Sequence, residues 1–137
     1  MARYMKFIAP FLGVRSTPRR LALREQWQGL GTTAVSTLCW RYDATELALN
    51  WSASNNMWLN RAAIQHQRGW KKETDVDFVL SICEARSANK EFFIAQATGW
   101  ALRDISRFNA LAVQRFLRHH PNLSNVAVRE ARRGLGI

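Results

Sequence analysis

The sequence predicts an all-α protein built as a HEAT-like α-solenoid of antiparallel helix pairs. Helix start and stop signals recur along most of the 137 residues, and apolar residues at helical spacing lie between them. The pattern at Trp58 and Arg61 returns 42 positions later at Trp100 and Arg103. That interval lies within the roughly 40 to 47 residues of a HEAT-type two-helix repeat. An irregular helical bundle is the alternative, and the repeated pattern favours the solenoid.

Capping signals divide the N-terminal third of the chain into helices. Residues 17–18, Thr-Pro, match an N-cap followed by proline at the first helical position, and Gly29 ends that helix. A second helix is predicted over residues 33–41. Residues 43–46 have the spacing of a capping box and predict a third helix, which ends near the polar residues 52–56.

The rest of the chain continues the helical pattern. A helix is predicted over residues 56–67, and another starts at residues 74–77 and carries one apolar stripe. Helices follow over residues 90–106, 109–121 and 124–134. About seven helices of roughly ten to sixteen residues, joined by short polar turns, describe a solenoid or an irregular bundle.

The composition fits one domain with a modest core. The chain is 47% hydrophobic, and no linker, charge run or low-complexity tract divides it, so residues 1–137 are expected to form a single domain. Cys39 and Cys83 are isolated in apolar helical settings. They predict two reduced core thiols in a cytoplasmic protein rather than a disulfide.

The charge balance favours a polyanionic partner. Twenty Lys and Arg residues against ten Asp and Glu give a formal charge of +10. Sixteen of the twenty are Arg, whose guanidinium binds phosphate as a fork and stacks on flat rings, so nucleic acid is favoured. A ribosomal-type or membrane-surface protein could share this charge. We expect no membrane association, because the basic residues are dispersed, no apolar run approaches about 18 residues, and residues 1–7 lack a signal-peptide core.

Motifs for other chemistry are absent from the sequence. There is no GxxxxGK[ST] or GxGxxG loop and no GxSxG elbow, which argues against nucleotide cradling and serine hydrolysis. His66, His119 and His120 do not combine with the cysteines at metal-ligand spacing. His119 and His120 precede Pro121, as expected for imidazoles at a helix end. We therefore predict neither a metal site nor a cofactor.

The two Trp and Arg patterns are candidates for a binding site. A tryptophan at helical spacing is more often a core residue, but Arg61 and Arg103 also lie among apolar neighbours. A guanidinium at the edge of a core needs an anion, and few acidic residues are close in sequence. Two equivalent helices, each presenting a Trp and an Arg on one face, would form a strip of rings and cations. Such a strip suits a nucleic-acid backbone with exposed bases.

Several stretches resemble the AlkD-type DNA alkylation-repair glycosylases, bacterial DNA-binding proteins made of HEAT-like repeats. Those similar to the C-terminal half of the family are NNMWLNRAAIQHQ, KEFFIAQATGWALRDISR and NLSNVAVREARR. Those similar to its N-terminal part are MARYMKFIAPFLGVRSTPRR and LCWRYDATELAL. The resemblance covers residues 1–49 and 51–134. It implies binding of double-stranded DNA and excision of cationic N3- or N7-alkylated purines, by gripping the backbone around the lesion without a base-flipping pocket.

The resemblance implies roles for four residues. Trp100 matches the tryptophan of the family's GWALR motif, which packs against the sugar at the lesion, and it is the expected catalytic residue. Arg61 and Arg103 match arginines that hold the flanking phosphates, and Tyr4 matches a tyrosine near the same cleft. Departure of a cationic purine leaves an oxocarbenium-like sugar, which an indole face and a nearby carboxylate can stabilise.

The family's catalytic carboxylate has no counterpart in this sequence. It belongs to a WWDxVD-like motif in the middle repeats, and the match jumps from an early to a late helix between Leu49 and Trp51. About two repeats, on the order of 70 to 80 residues, are missing there, which makes the chain an internally shortened member. Asp43, after Trp40, could substitute for that carboxylate but fits an N-cap better. Three alternatives stay open: a weak or inactive glycosylase, a non-catalytic DNA-binding module and a vestigial remnant.

Overall fold

Residues 45–137, which the computed structural model describes, are entirely helical apart from turns. They form α1 (Thr45–Ala53), α2 (Met57–Gln65), a 3-10 helix (Lys71–Glu73), α3 (Val76–Ala85), α4 (Phe92–Ser106), α5 (Ala110–His119) and α6 (Asn125–Leu135). No strand occurs in this range, so the predicted all-α class is confirmed. The helix signals predicted before residue 45 lie outside the described residues, as do Tyr4, Cys39 and Asp43.

Side-chain caps start four of the described helices where the sequence placed polar residues. The Asn56 side chain accepts the Trp58 N–H at 2.9 Å, and that of Asp75 accepts the Phe78 N–H at 3.1 Å. The Asn109 side chain accepts the Ala112 N–H at 3.2 Å, and that of Ser124 accepts the Val126 N–H at 3.3 Å. Each cap satisfies a backbone donor that a helix start leaves without an intrahelical partner. The starts predicted at Asn109 and Ser124 are therefore confirmed.

The end predicted for α6 at Gly134 is one residue early. The helix continues to Leu135, and Gly136 follows it with a left-handed φ of 77°. A Cβ at Gly134 would lie 2.1 Å from Ser106 Oγ and 2.9 Å from Arg103 Cα. Gly134 is thus a glycine of close helix packing, whereas Gly136 is the glycine that ends the helix.

The helices stack as a solenoid of helical repeats. α1 and α2 form a hairpin, in which the Asn60 amide donates to the backbone oxygens of Trp51 at 2.9 Å and Ser54 at 2.8 Å. Alternate helices then run side by side in the same direction. Trp58 on α2 packs against Phe93 on α4, with ring centroids 5.1 Å apart. Further along the same two helices, the Arg61 guanidinium on α2 lies over the ring of Trp100 on α4.

α4 and α6 are also parallel, and glycine allows their close approach. A Cβ at Gly99 would lie 2.8 Å from Glu130 Cβ and 3.0 Å from Ala127 Cα. One turn later on each helix, Gly134 approaches Arg103 in the same way. α2, α4 and α6 therefore form one layer of the stack, which confirms the predicted solenoid.

The core runs along this layer and contains one charged group among its largest buried side chains. The largest side chains that are fully buried are Trp51, Arg61, Ile64, Ile94, Leu102, Ile105, His66, Val113 and Cys83. Burial raises the pKa of the Cys83 thiol to about 12, so this cysteine is an unreactive core residue. Among residues 45–137, no helix combines the length and apolar character that crossing a bilayer requires.

Candidate nucleic-acid interface

Two arginine side chains from α2 and the turn after it lie close to the Trp100 ring on α4. The Cζ atom of Arg61, on α2, is 5.6 Å from the centroid of the Trp100 ring, and that of Arg68, in the turn after α2, is 4.8 Å away. Both distances are within the range of cation–π attraction. The Trp100 ring is half-buried, so part of it remains accessible to a ligand. We refer to Arg61, Arg68, Trp100 and Asp104 together as the Trp100 site.

Arg61 is a buried cation without a compensating anion among the described residues. Its side chain is buried, with the residue only 2% exposed, and its Nε and Nη1 atoms have no hydrogen-bond partner there. Burial lowers the pKa of the Arg61 guanidinium, and the positive charge of Arg68 lowers it further. A buried charge without a partner costs several kcal/mol, on the order of the penalty for breaking a buried ion pair. An anion bound at Arg61 would remove that cost.

Arg68 is held over Trp100 by the turn that follows α2. Its Nη1 atom donates to Gln65 Oε1 at 3.2 Å. The next residue, Gly69, has a φ of 90°, which glycine adopts without strain, and its N–H donates to Asp104 Oδ2 at 3.1 Å. Burial lowers the pKa of Arg68, Asp104 raises it, and the nearby arginines of α4 and its end lower it. The turn therefore brings a second guanidinium to the ring.

Sequence reasoning missed Arg68 because its neighbours give no functional signal. A basic residue just before a helix-ending glycine is typical of an ordinary helix C-terminus. The contact that positions it joins Gly69 to Asp104 across 35 residues. No local pattern indicates a contact of that range.

Arg103 lies at the seam between α4 and α6 and has an internal partner. Its Nη1 atom is 3.3 Å from Glu130 Oε2, and Arg133 Nη1 is 2.9 Å from the other Glu130 oxygen. The Arg103 side chain is 41% exposed, so it can also reach a ligand in solvent. Glu130 follows Arg103 by 27 residues, and its pairing was not visible in the sequence.

The two Trp and Arg patterns have different environments, although they share a spacing. Trp58 is only 6% exposed and packs against Phe93, so it belongs to the core and not to a strip of accessible rings. The expectation of two equivalent rings is therefore wrong for Trp58. Instead, Arg61 of the first pattern meets Trp100 of the second, because α2 and α4 are parallel neighbours. Each pattern contributes one residue to the same site.

The Trp100 site has the electrostatic character of an anion-binding surface. Arg103 and Arg107 add positive charge near Arg68, and Asp104 is the acidic group that acts on it. Such a group of guanidinium ions beside an aromatic ring can hold phosphate oxygens and a flat or cationic group at once. Within residues 45–137, no three His, Cys, Asp or Glu side chains are placed to hold a metal ion. Tyr4 and Asp43 lie outside the described residues.

Comparison with known proteins gives one family assignment. A search of curated proteins finds no match to the chain. The family model described as DNA alkylation repair enzyme matches residues 29–135, well over half of the chain. The matched range contains all six described α-helices and the whole Trp100 site. Because the family is one of DNA repair, DNA is the substrate or partner of this protein. The chain belongs to the DNA alkylation repair enzyme family.

Proposed function

We propose that this protein binds double-stranded DNA that carries cationic N3- or N7-alkylated purines and hydrolyses their N-glycosidic bond, as an internally shortened AlkD-type DNA glycosylase with HEAT-like repeats. The observation that carries the proposal is the buried Arg61 guanidinium, whose Nε and Nη1 atoms have no partner among residues 45–137 and which lies beside the half-buried Trp100. A cytoplasmic location agrees with this function.

The arginines supply the DNA-binding part of the function. Arg68, half-buried beside the Trp100 ring, can hold one backbone phosphate, and the buried positive charge of Arg61 adds to the attraction. Arg103 is half-exposed and can hold a second phosphate from the α4–α6 seam. Tyr4 is expected near the same cleft from the family resemblance. Contacts of this kind fix the position of the duplex and carry no sequence preference.

Trp100 supplies the part of the site that faces the lesion. Two guanidinium groups lie within cation–π distance of the Trp100 ring, and the accessible part of Trp100 can face the sugar of a bound lesion. In the proposed reaction the C1′–N bond breaks, and its electron pair leaves with the cationic purine, which becomes neutral. Positive charge then develops on the sugar, and the ring stabilises it. Water adds to C1′ and releases a proton.

Labile cationic bases are the substrates that this site suits. A positively charged purine leaves as a neutral molecule and needs no acid to protonate it, whereas a neutral lesion does. The family's catalytic carboxylate motif has no counterpart in the sequence, so release is expected to be slower than in a member with all its repeats. The same observation favours the second candidate, a non-catalytic DNA-binding module.

Release of N7-methylguanine from an alkylated duplex tests the proposal. We expect slow, enzyme-dependent release by the folded chain, together with duplex binding that weakens as salt is added. Salt-sensitive binding without release would establish the non-catalytic module instead. A chain that neither binds nor releases, and that lacks a near-UV circular dichroism signal, would be the vestigial remnant.

A further inference from the structure

We propose that Asp104 is the carboxylate of the Trp100 site and stabilises the developing positive charge on the sugar. The inference rests on the glycosylase function proposed above and adds a residue to it. Glycoside hydrolysis through a cationic sugar is typically assisted by a carboxylate close to the reacting carbon.

Helix geometry places Asp104 on the same face of α4 as Trp100. The two residues are four positions apart, and Cβ atoms at that spacing lie about 5 to 6 Å from each other. Side chains on an α-helix lean toward its N-terminus, so the Asp104 carboxylate leans over the turn that carries Trp100. It is half-buried, which leaves access for a ligand.

Contacts across the site support the same placement. Asp104 Oδ2 accepts the Gly69 N–H at 3.1 Å, from the turn that brings Arg68 to within 4.8 Å of the Trp100 centroid. The carboxylate therefore lies beside the turn that carries Arg68, one helical turn along α4 from Trp100. Its second oxygen, Oδ1, takes no hydrogen bond from the described residues and can face a ligand.

Two other acidic residues of the described range, Glu130 and Asp75, have their carboxylates engaged in contacts away from Trp100. Glu130 has one oxygen on Arg103 and the other on Arg133. Asp75 caps α3 through its contact with the Phe78 N–H. Asp104, by contrast, lies one helical turn from Trp100 and keeps one carboxylate oxygen without a hydrogen bond from the described residues.

The step balances with these groups alone. As the C1′–N bond breaks, its electron pair goes to the purine, and the negative charge of Asp104 offsets the positive charge left on the sugar. Water then forms the C1′–O bond, and Asp104 accepts the proton that the water loses. The proton passes to solvent, which restores the carboxylate.

Two substitutions at Asp104 distinguish an electrostatic role of its carboxylate from a structural one. Asp104→Asn keeps a side-chain oxygen for the Gly69 N–H and removes the negative charge, whereas Asp104→Ala removes both. We expect single-turnover release of N7-methylguanine to fall about 100-fold or more in both variants. The affinity of Asp104→Asn for duplex DNA should stay equal or increase, because the substitution removes a negative charge from beside the arginines of the site. Added formate should partly restore release by Asp104→Ala, and Asp43→Asn should release base at the native rate.

The outcomes distinguish this inference from the function on which it rests. Native release by Asp104→Asn with slow release by Asp104→Ala would make Asp104 a structural residue of the turn, and the glycosylase function would stand. A large loss confined to Asp43→Asn would assign the carboxylate to Asp43 instead. If either Asp104 variant fails to fold, Asp104→Glu, which keeps the charge, must retain release for the proposal to hold. Absence of release by the native chain would overturn both proposals.

Discussion

Arg61 and Trp100 meet across two parallel helices, with the guanidinium carbon 5.6 Å from the centroid of the indole ring. The arginine is buried, and its Nε and Nη1 atoms have no partner in the part of the chain that the structure describes, while Trp100 stays partly accessible. A fold optimised only for stability would not keep an uncompensated guanidinium beside an accessible ring. This arrangement is the basis for proposing that the site binds a negatively charged ligand.

Replacing Arg61 with an apolar residue should weaken DNA binding without lowering the stability of the fold. We expect Arg61→Met to leave the free energy of unfolding unchanged or to raise it by about 1 kcal/mol, because a desolvated charge is removed from the core. The same variant should bind duplex DNA more weakly. Its log-log salt slope should decrease in magnitude by roughly 0.9, as expected for one lost phosphate contact.

Urea unfolding and duplex titrations at several salt concentrations measure both effects. Arg115→Met is the matched control, because it removes the same charge from an exposed position on α5. Strong destabilisation of Arg61→Met with unchanged duplex affinity would identify Arg61 as a structural residue and contradict its place in the interface.

Gly134→Ala should destabilise the protein through the α4–α6 seam. The added Cβ would lie 2.1 Å from Ser106 Oγ and 2.9 Å from the Arg103 backbone, so the two helices must move apart. We expect a loss of about 1 to 3 kcal/mol in the free energy of unfolding, the usual range for overpacking. Ser106→Ala in the same chain should restore only part of it, because the backbone contact persists. Full stability of Gly134→Ala in a urea titration would show that the helices are less closely packed than described.

His66 should make the protein less stable in mild acid. Its Nδ1 is 2.6 Å from the Ala63 carbonyl oxygen and its Nε2 is 3.2 Å from the Gln67 amide, an arrangement that satisfies the neutral ring. Burial lowers the pKa of His66 below its usual value near 6.5, against smaller opposing effects of the Ala63 carbonyl and Asp75. The unfolded chain therefore takes up a proton at a pH where the folded chain does not.

The stability contributed by the neutral ring should be complete above pH 6.5 and decrease as the pH falls below it. The limiting slope is about 1.4 kcal/mol per pH unit down to the pKa of the folded state. Urea unfolding between pH 5 and pH 8, a range that brackets the usual histidine pKa, measures this decrease in stability. The proteins compared are the native chain, His66→Gln and the exposed-site control His119→Gln. The decrease should be smaller in His66→Gln and unchanged in His119→Gln. Equal profiles for all three proteins would contradict the assignment.

Local signals predicted the helices well because caps act over three or four residues. Asn109 and Ser124 start helices as expected, since each satisfies a nearby backbone N–H whatever the rest of the fold does. Gly134 was wrongly predicted as a helix end, because its purpose is a contact with Ser106 on another helix. Packing between distant segments is not encoded in a short sequence window.

The candidate site was predictable only in part for the same reason. Arg61 and Trp100 were identified from their repeated spacing and the family resemblance, but that spacing could not distinguish the buried Trp58 from the accessible Trp100. Asp104 and Arg68 come together through a turn contact between residues 35 positions apart. Their proximity depends on the packing of α4 against the turn after α2, which no short stretch of sequence indicates.

Single-turnover release of N7-methylguanine by the native chain, Trp100→Phe and Trp100→Ala measures whether the Trp100 ring takes part in base release. Phe92→Ala is the matched control, because it removes an exposed aromatic side chain from the same helix. We expect measurable release by the native chain and Phe92→Ala, an intermediate rate for Trp100→Phe, and a loss of about 100-fold for Trp100→Ala with its fold intact. Release by Trp100→Ala at the native rate would contradict a role of the ring in base release.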